Sequence, residues 1–119
     1  MILGTIEEAD GVPTVLISLA GRLWPAIIDT GFNGDLELPM GLLPLVNARF
    51  LCREPSYLAA GQVVDEDTYL VDFPFDGQIY AAEATFVPSD SLLIGTNLLR
   101  DHFLELDFPA QTVRLERVR

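Results

Sequence analysis

The chain has 119 residues, half of them apolar, and its 18 acidic against seven basic side chains leave a formal charge of −11. That length suits one domain with its own core, and that apolar content excludes a disordered or purely polar segment. The charge argues against nucleic acid, whose phosphates demand a basic face, and against anionic lipid headgroups.

The apolar pattern repeats mostly every two residues, which is the period of strands. Val15, Ile17 and Leu19 alternate with Thr14, Leu16 and Ser18, and Ala20-Gly21 turns the chain into a second arm, Arg22–Ile28. Directly behind its apolar run Leu23-Trp24-Pro25-Ala26-Ile27-Ile28 stands Asp29-Thr30-Gly31, then a polar loop, Phe32-Asn33-Gly34-Asp35, and Leu36-Glu37-Leu38-Pro39. Gly41 and Pro44 keep any helix over 40–46 short. Residues 49–53 read as a strand, and 57–64 as two arms around an Ala60-Gly61 tip. Asp65-Glu66-Asp67 reads as a solvated turn or hairpin arm. Residues 68–75, the Asp76-Gly77 turn and Gln78–Val87 form a further hairpin. Leu92-Leu93-Ile94-Gly95 is a short buried strand, 97–101 has helix-compatible spacing, and 102–108 with 112–118 bracket Pro109-Ala110-Gln111 as a last hairpin. The expectation is an all-β domain over residues 1–119, a closed barrel-like sheet with one or two short helices.

A carboxylate at the end of a buried strand is a costly placement unless it is paired, hydrogen-bonded or protonated. Chains that tolerate that cost often do so for function. The remaining inventory narrows the chemistry. Ser-His and Cys-His mechanisms need a histidine, and the only one, His102, shares a strand face with Leu104, Leu106 and Phe108, as a structural histidine would. No nucleophile elbow, no clustered Cys and His for zinc and no phosphate-binding loop is present. The single cysteine, Cys52, excludes an internal disulfide, fits a reducing cytoplasm and reads as a small buried hydrophobe. No apolar run approaches the roughly 20 residues that span a bilayer, and the first residues do not read as a signal peptide.

Carboxylate chemistry remains. Hydrolysis of an amide by carboxylates uses one group as base and one as acid. One chain offers one such aspartate, and a two-fold dimer supplies the second by bringing Asp29 of each subunit to the axis. Adjacent carboxylates cannot easily both ionise, so they share a proton.

These residues resemble the single-lobe, retropepsin-like aspartic proteases. Ala26-Ile27-Ile28-Asp29-Thr30-Gly31 is similar to the family's apolar-apolar-Asp-Thr-Gly motif, Leu92 to Leu99 to its second signature, and 58–64 falls where such enzymes carry a flap hairpin. The resemblance implies a homodimeric aspartic endopeptidase without metal or cofactor, acting on peptide or protein substrates. Asp29 would be the catalytic aspartate. Thr30, Gly31 and Gly95 would support the active-site loops, with the Thr30 hydroxyl bonding across the dimer. Phe32, Asn33, Ala60, Gly61 and Gln62 would meet substrate. Phe32 departs from the small residue, usually Ala, that commonly follows Asp-Thr-Gly, so its ring narrows the cleft, walls a pocket or packs into the core. The alternative is a non-catalytic dimerisation or peptide-binding module that keeps the fold, and a third reading is a monomer that stays inert until assembled.

Overall fold

In β2 (Pro13–Leu19) the alternating residues Val15, Ile17 and Leu19 are buried while Leu16 is exposed, so the period-two pattern sets which face meets the core. A computed structural model describes all of residues 1–119. It contains ten strands: β1 (Ile2–Ile6), β2, β3 (Arg22–Ile28), β4 (Leu36–Pro39), β5 (Arg49–Tyr57), β6 (Val63–Phe75), β7 (Gln78–Val87), β8 (Leu92–Ile94), β9 (His102–Asp107) and β10 (Thr112–Arg117). The only helical pieces are single 3₁₀ turns at Met40–Leu42 and Ala59–Gly61. None is long or apolar enough to cross a membrane.

Two hairpins follow directly from their turn residues. Ala20-Gly21 links β2 to β3 with φ of 53° and 78°, and Asp76-Gly77 links β6 to β7 with φ of 50° and 77°. Positive φ at both central residues is the turn whose twist matches paired strands.

All ten strands join one sheet in the order β5-β6-β7-β4-β8-β3-β2-β1-β10-β9. The sheet folds back on itself so that β2 packs against β6 around a core that includes Val71, Phe73 and Phe75. It does not close, which corrects the expectation of a closed barrel: β5 and β9 are free edges. Closure would require β5 to lie against the body, yet of its nine residues only Cys52 and Ser56 are even half-buried. The β5–β6 hairpin therefore stands off the core. Cys52, expected as a buried hydrophobe, sits half-exposed on that arm beside a register shift between Phe50 and Cys52.

Two further differences arise from partners elsewhere in the chain. Residues 97–101 form turns, not a helix. Thr96 and Asn97 spend their N–H groups on the Phe32 and Gly34 carbonyls, and Leu99 and His102 bond back three residues, to Thr96 and Leu99. Strand β1 has no counterpart among the expected elements. Its partners are β2 and β10, and Gly4 lets it lie so close to β2 that a Cβ would overlap the Thr14 carbonyl.

Candidate active site

Strands β3 and β4 flank loop 29–35 but do not pair with each other. Between them lies β8, parallel to β3 and antiparallel to β4, with Ile94 opposite both Ile28 and Leu36. Ala26, Ile28, Leu36, Leu38, Leu92 and Ile94 are all at most 3% exposed. Burial of each large side chain among them contributes about 1.5–3 kcal/mol relative to exposure, which anchors three short strands that local propensity alone would not hold.

The loop must arch over the end of β8, and it is tied down on both flanks. The Asp29 N–H donates to the Ile94 carbonyl at 3.0 Å, and the Gly95 N–H donates to the Asp35 carbonyl at 2.9 Å. Within the arch, the Gly31 N–H donates to Asp29 Oδ1 at 3.0 Å, so the turn orients the carboxylate. A Cβ on Gly31 would sit 3.3 Å from that oxygen. Asp29 is half-buried, and Thr30, Gly31 and Asn33 are exposed. The costly buried acid that the sequence suggests at position 29 is instead Asp35, at 8% exposure.

Asp35 escaped the sequence reading because a lone acid in a Gly-bearing loop reads as solvated. Its Oδ1 accepts the Asn97 side-chain N–H at 2.6 Å, and its Oδ2 accepts the Glu83 backbone N–H at 2.9 Å. One carboxylate thus links the loop to the turn after β8 and to β7. Bonds of this kind involve a charged acceptor and are roughly twice as strong as neutral ones. The one available signal is the juxtaposition of an acid with a following Leu36-x-Leu38 strand, which places it at the rim of a buried layer.

Gly95 lies under the same arch. A Cβ there would overlap the Gly34 carbonyl oxygen and fall 2.8 Å from Phe32 Cδ2. The Phe32 ring packs across Gly34 and Gly95, while its carbonyl accepts the Thr96 N–H at 2.8 Å and the Thr96 hydroxyl at 3.3 Å. Of the three roles open to this ring, walling a cavity is the one the structure displays; the ring lies over the loop glycines and is not part of the hydrophobic core.

The β5–β6 hairpin carries Ala60 and Gly61 at its tip, with φ of 63° and 76°, and the Leu58 N–H closes the tip on the Gln62 carbonyl at 2.8 Å. Between this hairpin and the loop lies a cavity of about 350 Å³, bounded by Phe32, Gly34, Glu37, Leu58 and Thr68 among others. Ala60, Gly61, Gln62 and Asn33 do not line it; the sides of the hairpin do. Burial first, and then the Glu66 and Asp29 carboxylates, push the Glu37 carboxyl above the usual carboxylate range. No group of three or more His, Cys, Asp or Glu is placed to hold a metal ion.

Comparison with protein-family models gave no match, and comparison with curated proteins gave none. Comparison of the fold did. The chain superposes on the crystal structure of a retropepsin-like aspartic protease from Rickettsia conorii with a TM-score of 0.68, over 97% of this chain and 89% of that one. The fold is retropepsin-like. At 15% identity the likeness lies in the architecture, which supports the resemblance read from the two sequence signatures. In this retropepsin-like chain, Asp29 ends one strand of the buried three-strand layer and the hairpin overhangs the loop that carries it.

Proposed function

We propose that residues 1–119 form one aspartic peptidase domain that acts as a homodimer, with Asp29 contributed once by each subunit. The observation that carries this reading is the arch itself: Asp29 is fixed at the end of β3 by a backbone bond to Ile94, and its carboxylate is oriented by Gly31 yet left accessible. A single carboxylate so placed lacks the second group that amide hydrolysis uses, and a two-fold axis beside it supplies one. The two Asp29 carboxylates share one proton. A water between them attacks the scissile carbonyl as the ionised group takes its proton and the protonated group donates to the carbonyl oxygen. The resulting diol then collapses with cleavage of the C–N bond, the newly protonated carboxyl giving its proton to the leaving nitrogen while the other recovers one from a diol hydroxyl.

Thr30 and Gly31 shape the catalytic loop, and the hydroxyl of Thr30, a residue exposed in the single chain, bonds across the dimer. Gly95 lets the loop settle onto β8. Phe32, Asn33 and the hairpin residues Ala60, Gly61 and Gln62 contact an extended peptide, whose backbone the hairpin edge would grip with strand-like hydrogen bonds. A non-catalytic peptide-binding module is the alternative, but an accessible, oriented aspartate serves it little.

Wild type and Asp29→Asn, each assayed with an unstructured protein substrate across pH, separate the two. Sedimentation at several concentrations accompanies the assay. The expected result is cleavage by the wild type and a loss of at least about a thousandfold in the variant. Equal cleavage by both, or no cleavage at any pH by a dimeric wild type, ends the peptidase reading.

A further inference from the structure

The cavity between the loop and the β5–β6 hairpin has a chemistry that the peptidase reading does not require. Its walls carry Asp35, Glu37, Glu54, Glu66 and Glu83, and no Arg among them, although the chain has seven. Asp35 is engaged by Asn97 and Glu83, and Glu54 accepts the Thr68 hydroxyl at 3.3 Å. Glu37, Glu66 and the Glu83 side chain take part in none of the molecule's ion pairs, which lie elsewhere.

Two features leave this charge without a counter-charge from the chain. Glu54 and Glu66 are direct cross-strand partners in the β5–β6 ladder, a like-charge placement that weakens a sheet. One step along the same ladder the placement is the opposite, since Arg53 faces Asp67 and pairs with it at 3.2 Å, while on the other side Pro55 faces Asp65 and adds no cation. From the facing wall, Glu37 on β4 feels both Glu66 and Asp29. The cavity therefore has walls on two sides, room for one long side chain, and a focused negative field whose counter-charge the chain does not provide.

We propose that this cavity is the subsite for a cationic side chain, Arg or Lys, of the bound peptide, and that Glu37 with Glu66 determines that specificity. The proposal rests on the reading of Asp29 as the reacting group. Phe32, Gly34 and Leu58 supply apolar contact for the methylene stem, and the Glu37 and Glu66 carboxylates, one from each wall, meet the charged head, the division that long cationic side chains favour. A flat guanidinium matches two carboxylates better than an ammonium does, so Arg is preferred over Lys. In a two-fold dimer the subsite occurs twice, and an extended peptide meets it once on each side of the scissile bond.

The test uses the full chain and a neutral peptide scaffold in which norleucine is replaced by Arg at one position at a time. Binding is read by fluorescence anisotropy on the Asp29→Asn protein, which leaves the peptide intact, in the presence of a chelator. Cleavage by the wild type is read as kcat/KM. The expected result is an Arg-over-norleucine preference of about tenfold at one position on each side of the scissile bond, shrinking with salt, as one partly screened pair of charges gives. Glu37→Gln and Glu66→Gln each cut that ratio by about threefold or more, and Glu7→Gln on the outer surface does not. Absence of any Arg preference, or a preference untouched by both pocket variants, overturns the proposal. A Glu37-dependent preference without any cleavage upholds the subsite and removes the peptidase reading. Cleavage without the preference removes the subsite alone.

Discussion

Removing the Asp35 carboxylate should loosen the whole arch. Asp35→Ala deletes two bonds to a charged acceptor, from Asn97 at 2.6 Å and from the Glu83 N–H at 2.9 Å. Each is worth about 1.5–3 kcal/mol, and the Glu83 amide is left without its partner. Part of that loss is recovered because Asn97 is exposed and can turn to water. A net cost of about 3–4 kcal/mol follows, which for a chain of this size is a fall in Tm of roughly 10–15 °C. Urea unfolding followed by circular dichroism at one fixed protein concentration measures it, with the midpoint shifting at constant slope. Asn97→Ala alone should cost about half as much, and the double variant should fall short of the sum by about 1 kcal/mol or more, since both residues share one bond. An Asp35→Ala protein within about 0.5 kcal/mol of wild type, or strict additivity in the cycle, would refute the reasoning that this carboxylate holds loop, turn and β7 together.

Gly95→Ala should be costly, by about 1–3 kcal/mol, because its Cβ meets the Gly34 backbone and the Phe32 ring, neither of which yields without moving the arch. Gly41→Ala, where the added Cβ meets nothing within 4 Å, should stay within about 0.5 kcal/mol, so parallel denaturation of the two variants checks the packing directly. His102 gives a pH dependence. Burial against Phe75 and Tyr80 holds its imidazole below the usual value, with ring centroids at 5.1 and 6.2 Å, and both ring nitrogens lack partners. The unfolded chain therefore binds the proton first, so His102 lowers stability as pH falls through its unfolded value of about 6.5. His102→Leu should flatten that segment of the stability profile between pH 7.5 and 5, and an unchanged slope would count against the burial of the neutral ring.

What could be read in the residues was what local chemistry controls. The Ala20-Gly21 and Asp76-Gly77 turns, the alternation in β2 and the apolar run before Asp29 each specify their neighbourhood within a few positions. What could not be read depends on partners distant in the chain. Strand β1 is short and half-exposed, and it becomes a strand because residues 112–115 pair with it. Where a helix is expected over 97–101 the chain forms turns, docked at their start on the Phe32 and Gly34 carbonyls, more than sixty residues earlier. Asp35 looks solvated until Asn97 and Glu83 arrive. The open sheet, too, depends on how far one hairpin stands from the body, a matter of tertiary balance and not of the sequence of either arm.

The insertion of β8 between β3 and β4 also orders events during synthesis. Ile28 and Leu36 are made early but touch only through Ile94, some sixty residues later. Contacts of such long separation are slow to form because the intervening loop must close first. An emerging chain that has reached the β6–β7 hairpin already holds every residue of loop 29–35 and has no frame on which to arch it. The Asp29 geometry is thus among the last features that a nascent chain acquires, and a polypeptide halted before residue 94 cannot assemble it.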